Sequence, residues 1–247
     1  MNKSVTIDLW QTIMGESDLS AFSSNRRQIK CEFIYDYLKK LTIQVDFSEI
    51  EKSHDFVVSE IAKYSRFHSD KLFSEWLIMF LNHLNKNIIK TISHEEIYKI
   101  GEIIDKAFIE NPPDIFDGTY EFIDFCRENK LKIGIISNTG FNSPTAYKKI
   151  LSMNKIYYDG ISLSNELGLA KPNKFIFKLT LENLKVDPSN SIHIGDNPVA
   201  DALGAINFGM DAILISKNGK THPIDNRVYS VIDNIKLAKQ IIKTWLE

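Results

Sequence analysis

Asp8 ends a short apolar run, "SVTID", where burying a carboxylate without a partner would be costly. Comparable residues close other segments of the chain. "GIISNTG" ends on Ser137 and Asn138, "LGLAKPNKFIF" places Lys171 before a helix that Pro172 can begin, and "SIHIGDNPVAD" carries Asp196 and, five residues on, Asp201. Carboxylates gathered around one point suit a hard, oxygen-seeking cation such as Mg²⁺, which is held by one or two carboxylates plus phosphate and water. A hydroxyl and an ammonium suit the equatorial oxygens of a phosphoryl group, whose transfer depends on positioning and charge neutralisation. An Asp in such a set can also act as nucleophile.

These residues can meet only if the segments carrying them form one sheet. Short buried strands are predicted at 4–8, 131–137, 158–164, 191–195 and 211–216. Helical stretches lie between them at about 118–129, 143–152, 173–184, 198–207 and 234–246. Strands alternating with helices predict a doubly wound, mainly parallel sheet covered on both faces. Ligands bind such sheets outside the carboxyl ends of the strands, where Asp8, Ser137 and Asp196 stand. From about 22 to 110 the pattern is helical and free of proline, with Ile29, Phe33, Ile34, Tyr37, Leu38 and Leu41 at three- and four-residue steps. Capping-box spacings at Ser48/Glu51 and Ser93/Glu96 help divide this stretch into about four helices, and "NPPD" at 111–114 ends it. The expected architecture is an α/β core, residues 1–15 and 112–247, with an all-helical insertion, residues 16–111.

The 247 residues suffice for a stable core without staples, and 43% apolar with 25% charged residues is ordinary for a globular protein. A net charge of −2 gives no whole-molecule case for nucleic acid or an anionic membrane as partner. No apolar run approaches the roughly 20 residues that span a bilayer. The two cysteines, Cys31 and Cys126, form no metal-like pair and read as free buried thiols, so a cytoplasmic location is expected. Monomer and homodimer are equally compatible with the sequence.

Four motifs in order, "TIDLWQT", "IISNTG", "KPNKFIF" and "IGDNPVAD", make the core resemble the haloacid dehalogenase superfamily, whose members are mostly phosphatases with a Rossmann-like core. The helical insertion resembles the family's cap, which closes over the site and selects substrates. The resemblance implies that Asp8 is the nucleophile and a Mg²⁺ ligand. The Trp10 backbone carbonyl and Asp196 would join it on the metal, with Asp201 holding the metal's water shell or Lys171. Thr12 and Ser137 would contact the phosphoryl group, Lys171 would balance its charge, and Asn138, a turn former first, could also touch substrate. The partner is then a small phosphorylated metabolite, cleaved through an aspartyl-phosphate.

Trp10 departs from the family pattern. Phosphatases of the family usually carry there a second Asp that protonates the leaving oxygen and activates water. The family's dehalogenases lack that acid and have an aromatic residue, but they work without metal, whereas "GDNPVAD" keeps the carboxylates of the metal-using branch. Two alternatives therefore stand beside the phosphatase reading: a C–halogen hydrolase with Asp8 as nucleophile, and a catalytically weak binding protein. Trp10 itself reads as packing between core and cap or as a stacking surface for an aromatic substrate. Glu16, Asp18 or a cap histidine could stand in as the acid.

Other polar residues have plainer roles. His193 is expected in the core, and His54, His68, His83 and His94 on the surface. Arg26 and Arg27 are expected to be solvated, with a cap arginine facing a second anionic group of a substrate as the alternative. Asn165 and Asn197 read as turn residues.

Overall fold

The structure, a computed structural model, describes residues 2–16, 22–219 and 222–247; Asp18 lies outside them. Strand β1 (Ser4–Ile7) is buried along its whole length because it lies at the centre of the sheet. The chain then forms β2 (Met14–Gly15) and leaves for five helices: α1 (Phe22–Lys40), α2 (Phe47–Arg66), α3 (Phe73–Leu84), α4 (Ile88–Thr91) and α5 (His94–Glu110). It returns through β3 (Asp114–Ile115), which pairs antiparallel with β2, so both crossings between the two parts lie side by side. The α/β run follows: α6 (Thr119–Glu128), β4 (Lys132–Ser137), α7 (Pro144–Met153), β5 (Gly160–Leu163), α8 (Ser164–Leu167), α9 (Lys174–Leu184) and β6 (Ser191–Gly195). It ends with a π-helical turn at Pro198–Leu203, then α10 (Gly204–Phe208), β7 (Asp211–Ile215), β8 (Ser230–Ile232) and α11 (Ala238–Leu246).

The main sheet is wholly parallel, in the order β5-β4-β1-β6-β7-β8. Successive side chains of a strand face opposite ways. Ile213 and Ile215 thus pack with Ile133 and Ile135 against α6, α7 and α11, while Ala212 and Leu214 join Ile136 against α9 and α10. Both faces are covered, as a parallel sheet requires. Local signals start the helices: Ser143 accepts from the Ala146 N–H ahead of Pro144 in α7, and Asn173 caps α9 through the Phe175 N–H.

The helical part has its own core, with Ile34, Leu38, Trp76, Phe80 and Ile100 buried together. The Ser93/Glu96 box caps α5 from both directions, at 3.2 Å and 2.6 Å. The expected box at Ser48/Glu51 does not form. Helix α2 begins two residues earlier, and Glu49 accepts from the Asp46 N–H at 3.2 Å. The chain turns out of α1 at Thr42, whose φ of 58° ends the helix and brings Asp46 to the start of the next.

Two carboxylates of the helical part dock it on the core. Asp105 of α5 accepts from the backbone N–H of Ser143 at 2.8 Å and from its hydroxyl. Asp70 accepts from the Ser164 hydroxyl at 2.5 Å and from the Trp76 indole at 2.7 Å. Burial raises the pKa of both.

Three expectations are corrected. The sixth strand, β8, is absent from the sequence reading because it is three residues long and only its last is buried. The helix expected at 198–207 is two elements, a π turn and α10. The insertion holds a fifth, one-turn helix, α4. Among the described residues, no helix is long and apolar enough to cross a membrane.

Candidate active site

The register of the sheet places Asp8. Ile7 pairs with Ile135 of β4 on one side and Ile194 of β6 on the other, and the Asp8 N–H donates to the Ile194 carbonyl at 2.9 Å. Asp8 therefore emerges between the ends of β4 and β6, beside Ser137 and Asp196. Carboxylate oxygens of Asp8, Asp196 and Asp201 lie within 4.8 Å of one another.

Lys171 binds this group from beneath. It is 2% exposed, and its ammonium donates to Asp8 Oδ1 at 2.7 Å, Asp201 Oδ1 at 2.5 Å and the Ile136 carbonyl at 2.7 Å. All three of its donors are thereby used. Burial works against its charge, but attraction to Asp201 and Asp8 outweighs burial and raises its pKa. Asn138 holds the Lys171 backbone on both sides, accepting from its N–H at 2.7 Å and donating to its carbonyl at 3.0 Å. Its amide also approaches Ser65 of α2 at 3.4 Å, so both of its polar ends have protein partners and its evident work is positioning.

Asp201 is held from three directions. Beyond Lys171, His193 Nε2 approaches its Oδ1 at 3.2 Å and the Asn197 N–H donates to its Oδ2 at 2.9 Å. Burial opposes its ionisation, yet Lys171 and His193 keep its pKa well below the usual carboxylate range. His193 is a core residue, as expected, with Thr6 Oγ1 on its Nδ1 at 2.8 Å; burial lowers its pKa. Asn197 caps the π turn through the Val199 and Ala200 N–H groups at 2.9 Å. Gly195 is required here because a Cβ would collide with the Asp201 carboxylate.

The other two carboxylates are less well compensated. Burial pushes Asp8 up to about 6, against the pull of Lys171 and with the push of Asp201. Burial and the charges of Asp8 and Asp201 push half-buried Asp196 up to about 7. Three carboxylates face one ammonium, a formal charge of −2. An oxygen-only donor set with that charge deficit fits a hard divalent cation. Ser137, fully buried, donates its hydroxyl to the Asn138 carbonyl at 3.3 Å and lies near enough to Asp8 to lower that carboxyl's pKa slightly. Thr12 is 1% exposed, and its Oγ1 has no hydrogen-bond partner among the described residues. Such an atom is costly to leave unsatisfied and stands ready for a ligand oxygen.

Beside this cluster lies a cavity of about 500 Å³ between the two parts of the molecule. Its walls include the residues that follow the site on two strands, Trp10 after β1 and Asn138 to Asn142 after β4. Trp10 packs against Phe108 of α5, with ring centroids 6.1 Å apart, and edge-on against Tyr147 of α7 at 6.5 Å. The Tyr147 hydroxyl accepts from the Gly140 N–H at 3.0 Å, and the Trp10 indole beside it works against the effect of burial on its pKa. Burial pushes that phenol up to about 12, so it stays protonated at neutral pH. Trp10 is thus both packing and cavity wall.

The arginine and histidine expectations need correction. Arg26 is buried, bonded to Glu16 at 2.5 Å and to the Asn111 carbonyl at 2.7 Å. Arg27 is partly buried, with its fork closed by Asp55 at 2.7 Å and Glu51 at 2.8 Å. His54 is buried on the cavity wall; burial and the charge of Lys30 pull its pKa down to about 4, so it is a neutral imidazole there. His83 is exposed but stacks on Phe56, with centroids 4.2 Å apart, and bonds to Ser53. Asn165 is no turn residue: it lies buried in α8, with its amide on the Asn142 carbonyl at 2.6 Å. Lys30, a residue without a motif around it, is buried in the cavity wall. A signal for it exists. Arg26, Lys30, Ile34 and Leu38 recur at four-residue steps and so share the face that α1 buries.

A parallel sheet whose central strand delivers a carboxylate to a cluster of Asp and Lys, with a helical insertion after that strand, is the arrangement of an α/β hydrolase. The chain belongs to the haloacid dehalogenase-like hydrolases, whose family model matches residues 19–209. It is similar to pyrimidine 5'-nucleotidase YjjG of Escherichia coli (strain K12), 32% identical over 124 residues that make up 49% of this chain and 54% of that protein. It is also similar to glyceraldehyde 3-phosphate phosphatase of Methanothermobacter thermautotrophicus, 33% identical over 132 residues, 51% of this chain and 58% of that one. The matches thus span just over half the length of these relatives. Among solved structures, 2-haloacid dehalogenase from Pseudomonas syringae pv. Tomato DC3000 superposes with a TM-score of 0.70 at 21% identity, covering 99% of this chain and 100% of that one. A HAD phosphatase from Thermococcus onnurineus gives 0.62 at 20% identity, covering 97% of each. These two likenesses show the fold.

Proposed function

We propose that this protein is a Mg²⁺-dependent phosphatase of a small phosphorylated metabolite, acting through an aspartyl-phosphate on Asp8. The observation that carries this is the −2 charge of Asp8, Asp196 and Asp201 around one ammonium, which calls for a divalent cation. Relatives named as a phosphatase and a nucleotidase support the substrate class.

Asp8, Asp196 and the Trp10 carbonyl would hold the ion, which, when bound, supplies positive charge to the phosphoryl oxygens and lets Asp8 stay ionised. Asp201 acts through Lys171 and would reach the ion through a water. The Asp8 carboxylate forms a bond to phosphorus as the bond from phosphorus to the leaving oxygen breaks. Ser137 and the unpartnered Thr12 hydroxyl donate to the transferring group. Lys171 orients Asp8 and balances its charge. Water then cleaves the acyl phosphate and returns Asp8. The Trp10 indole N–H is far too weak an acid to supply a proton to the leaving oxygen. The enzyme therefore favours leaving groups that depart as weak bases.

Trp10 also favours a second reading, a C–halogen hydrolase in which Asp8 attacks carbon and halide leaves without an acid. Phosphate release from a panel of phosphomonoesters and halide release from 2-haloacids, each with Mg²⁺ and with EDTA, separates the two. Phosphate release that EDTA abolishes supports the phosphatase. Halide release at full rate in EDTA overturns it.

A further inference from the structure

The cavity is cationic on one side and aromatic on the other. Arg26 is 9% exposed and lines it. Its Nε and Nη1 are spent on Asn111 and Glu16, while its Nη2 has no partner among the described residues. One helical turn on, Lys30 is 5% exposed and lines the same cavity. Two of its three donors go to uncharged oxygens, the Phe141 carbonyl at 2.8 Å and the Asn142 amide at 3.2 Å. Burial lowers its pKa to about 8; attraction to Asp105 offsets only part of this, and the charge of Arg26 adds to it. Asp70, the carboxylate on the cavity wall, has both oxygens occupied by the indole of Trp76, the N–H of Lys71 and the hydroxyl of Ser164. The Arg26 guanidinium lies 5.5 Å from the Phe108 ring, which in turn packs on Trp10, so an apolar wall runs from the residue two past Asp8 to the free donors.

We propose that Arg26 and Lys30 form a second anion-binding subsite, and that the substrate carries a carboxylate separated from its phosphoryl group by a planar or apolar spacer lying on Trp10 and Phe108. This deepens the phosphatase reading and rests on it. The free donors, the guanidinium Nη2 and the third ammonium hydrogen, match the two oxygens of one carboxylate. An anion there compensates the buried Lys30 ammonium, whose hydrogen-bond partners are uncharged, and adds a charge-assisted contact to Arg26, whose charge Glu16 already meets; the gain is larger than at an exposed site. The aromatic wall with a few polar groups at one end is the ordinary construction of a small-molecule site. A phosphate ester with a neutral spacer fills the same wall but leaves Nη2 unpaired.

The test uses the wild-type holoenzyme in Mg²⁺ at pH 7, with 4-carboxyphenyl phosphate and its neutral isostere 4-carbamoylphenyl phosphate. A charge-assisted contact at a buried site is worth about tenfold to a hundredfold. The expected kcat/KM is therefore at least about tenfold higher for the carboxylate. In Arg26→Gln and, separately, in Lys30→Gln, that ratio falls towards one; the second variant covers the chance that loss of the Glu16 pair unfolds the first. Parity of the two substrates in wild type overturns the subsite, as does a ratio that both folded variants retain. If neither ester is hydrolysed, the thermal shift with 4-carboxybenzylphosphonate is compared with that of 4-carbamoylbenzylphosphonate. A larger shift for the carboxylate sustains the subsite while the phosphatase reading falls, and equal shifts overturn the subsite as well.

Discussion

Substituting Asp8 by Asn makes the metal-free protein more stable at pH 8, although it removes the candidate nucleophile. The folded state holds the Asp8 proton more tightly than the unfolded chain, with the pKa rising from 3.8 to about 6. A carboxyl with a raised folded pKa retains its proton in the native state over a window where the unfolded chain has lost it. Stability therefore falls as pH rises from about 4 to about 6, and the whole penalty is present above that. A rise of this size is worth about 3 kcal/mol. Asn keeps the shape, accepts from Lys171 through its amide oxygen and never ionises, so it escapes the penalty. Its loss of charge also relaxes Asp196, which Asp8 helps to push up to about 7. For a chain of this length, 1 kcal/mol moves Tm by roughly 2–4 °C, so Asp8→Asn melts up to about 10 °C above wild type in EDTA at pH 8. The gap narrows as pH falls and closes below about pH 4. Millimolar Mg²⁺ raises the wild-type Tm and moves the variant much less, because the ion stabilises only the state that binds it. Circular dichroism melts of both proteins from pH 4 to 8, with EDTA and with Mg²⁺, provide the measurement. A variant that melts at or below wild type at pH 8 in EDTA, or a gap that does not grow with pH, refutes the charge deficit at the site.

Two further substitutions probe the site. Gly195→Ala drives a Cβ into the Asp201 carboxylate and should cost about 1–3 kcal/mol in denaturant unfolding, with at least a tenfold fall in kcat/KM. Gly140→Ala, whose Cβ would meet only Tyr147 Oη at 3.8 Å, should stay within about 0.5 kcal/mol of wild type; equal costs at the two positions would contradict the packing. Trp10→Asp tests the missing acid, which is worth about 10² to 10⁴ in rate. The wild-type preference for phenyl over alkyl phosphates in kcat/KM should shrink in this variant, and a flat leaving-group dependence in wild type would sink the idea.

The sequence was informative wherever the physics is local or periodic. Buried apolar runs marked β1, β4, β5, β6 and β7, and parallel topology then forces their carboxyl ends to one edge, so Asp8, Ser137, Asp196 and Lys171 were legible as one group before any coordinate. The Ser93/Glu96 box marked the start of α5 because capping is settled within four residues. Weak local signals hid the rest. The strand β8 and the β2/β3 pair are two or three residues long and owe their pairing to neighbours brought from elsewhere in the chain. Only the tertiary structure decided how the site residues are employed. Lys171 spends all three donors on protein oxygens because β1, β4 and the π turn converge on it, and Asn138 is occupied with the Lys171 backbone. Arg26 was expected in solvent because charge predicts exposure, and the burial of Lys30 was signalled only by its four-residue spacing from Arg26 and Ile34. They are buried because α1 packs on α5 and its amino-terminal half crosses residues 141 and 142 of the core, a contact between segments more than 100 residues apart that no local pattern encodes.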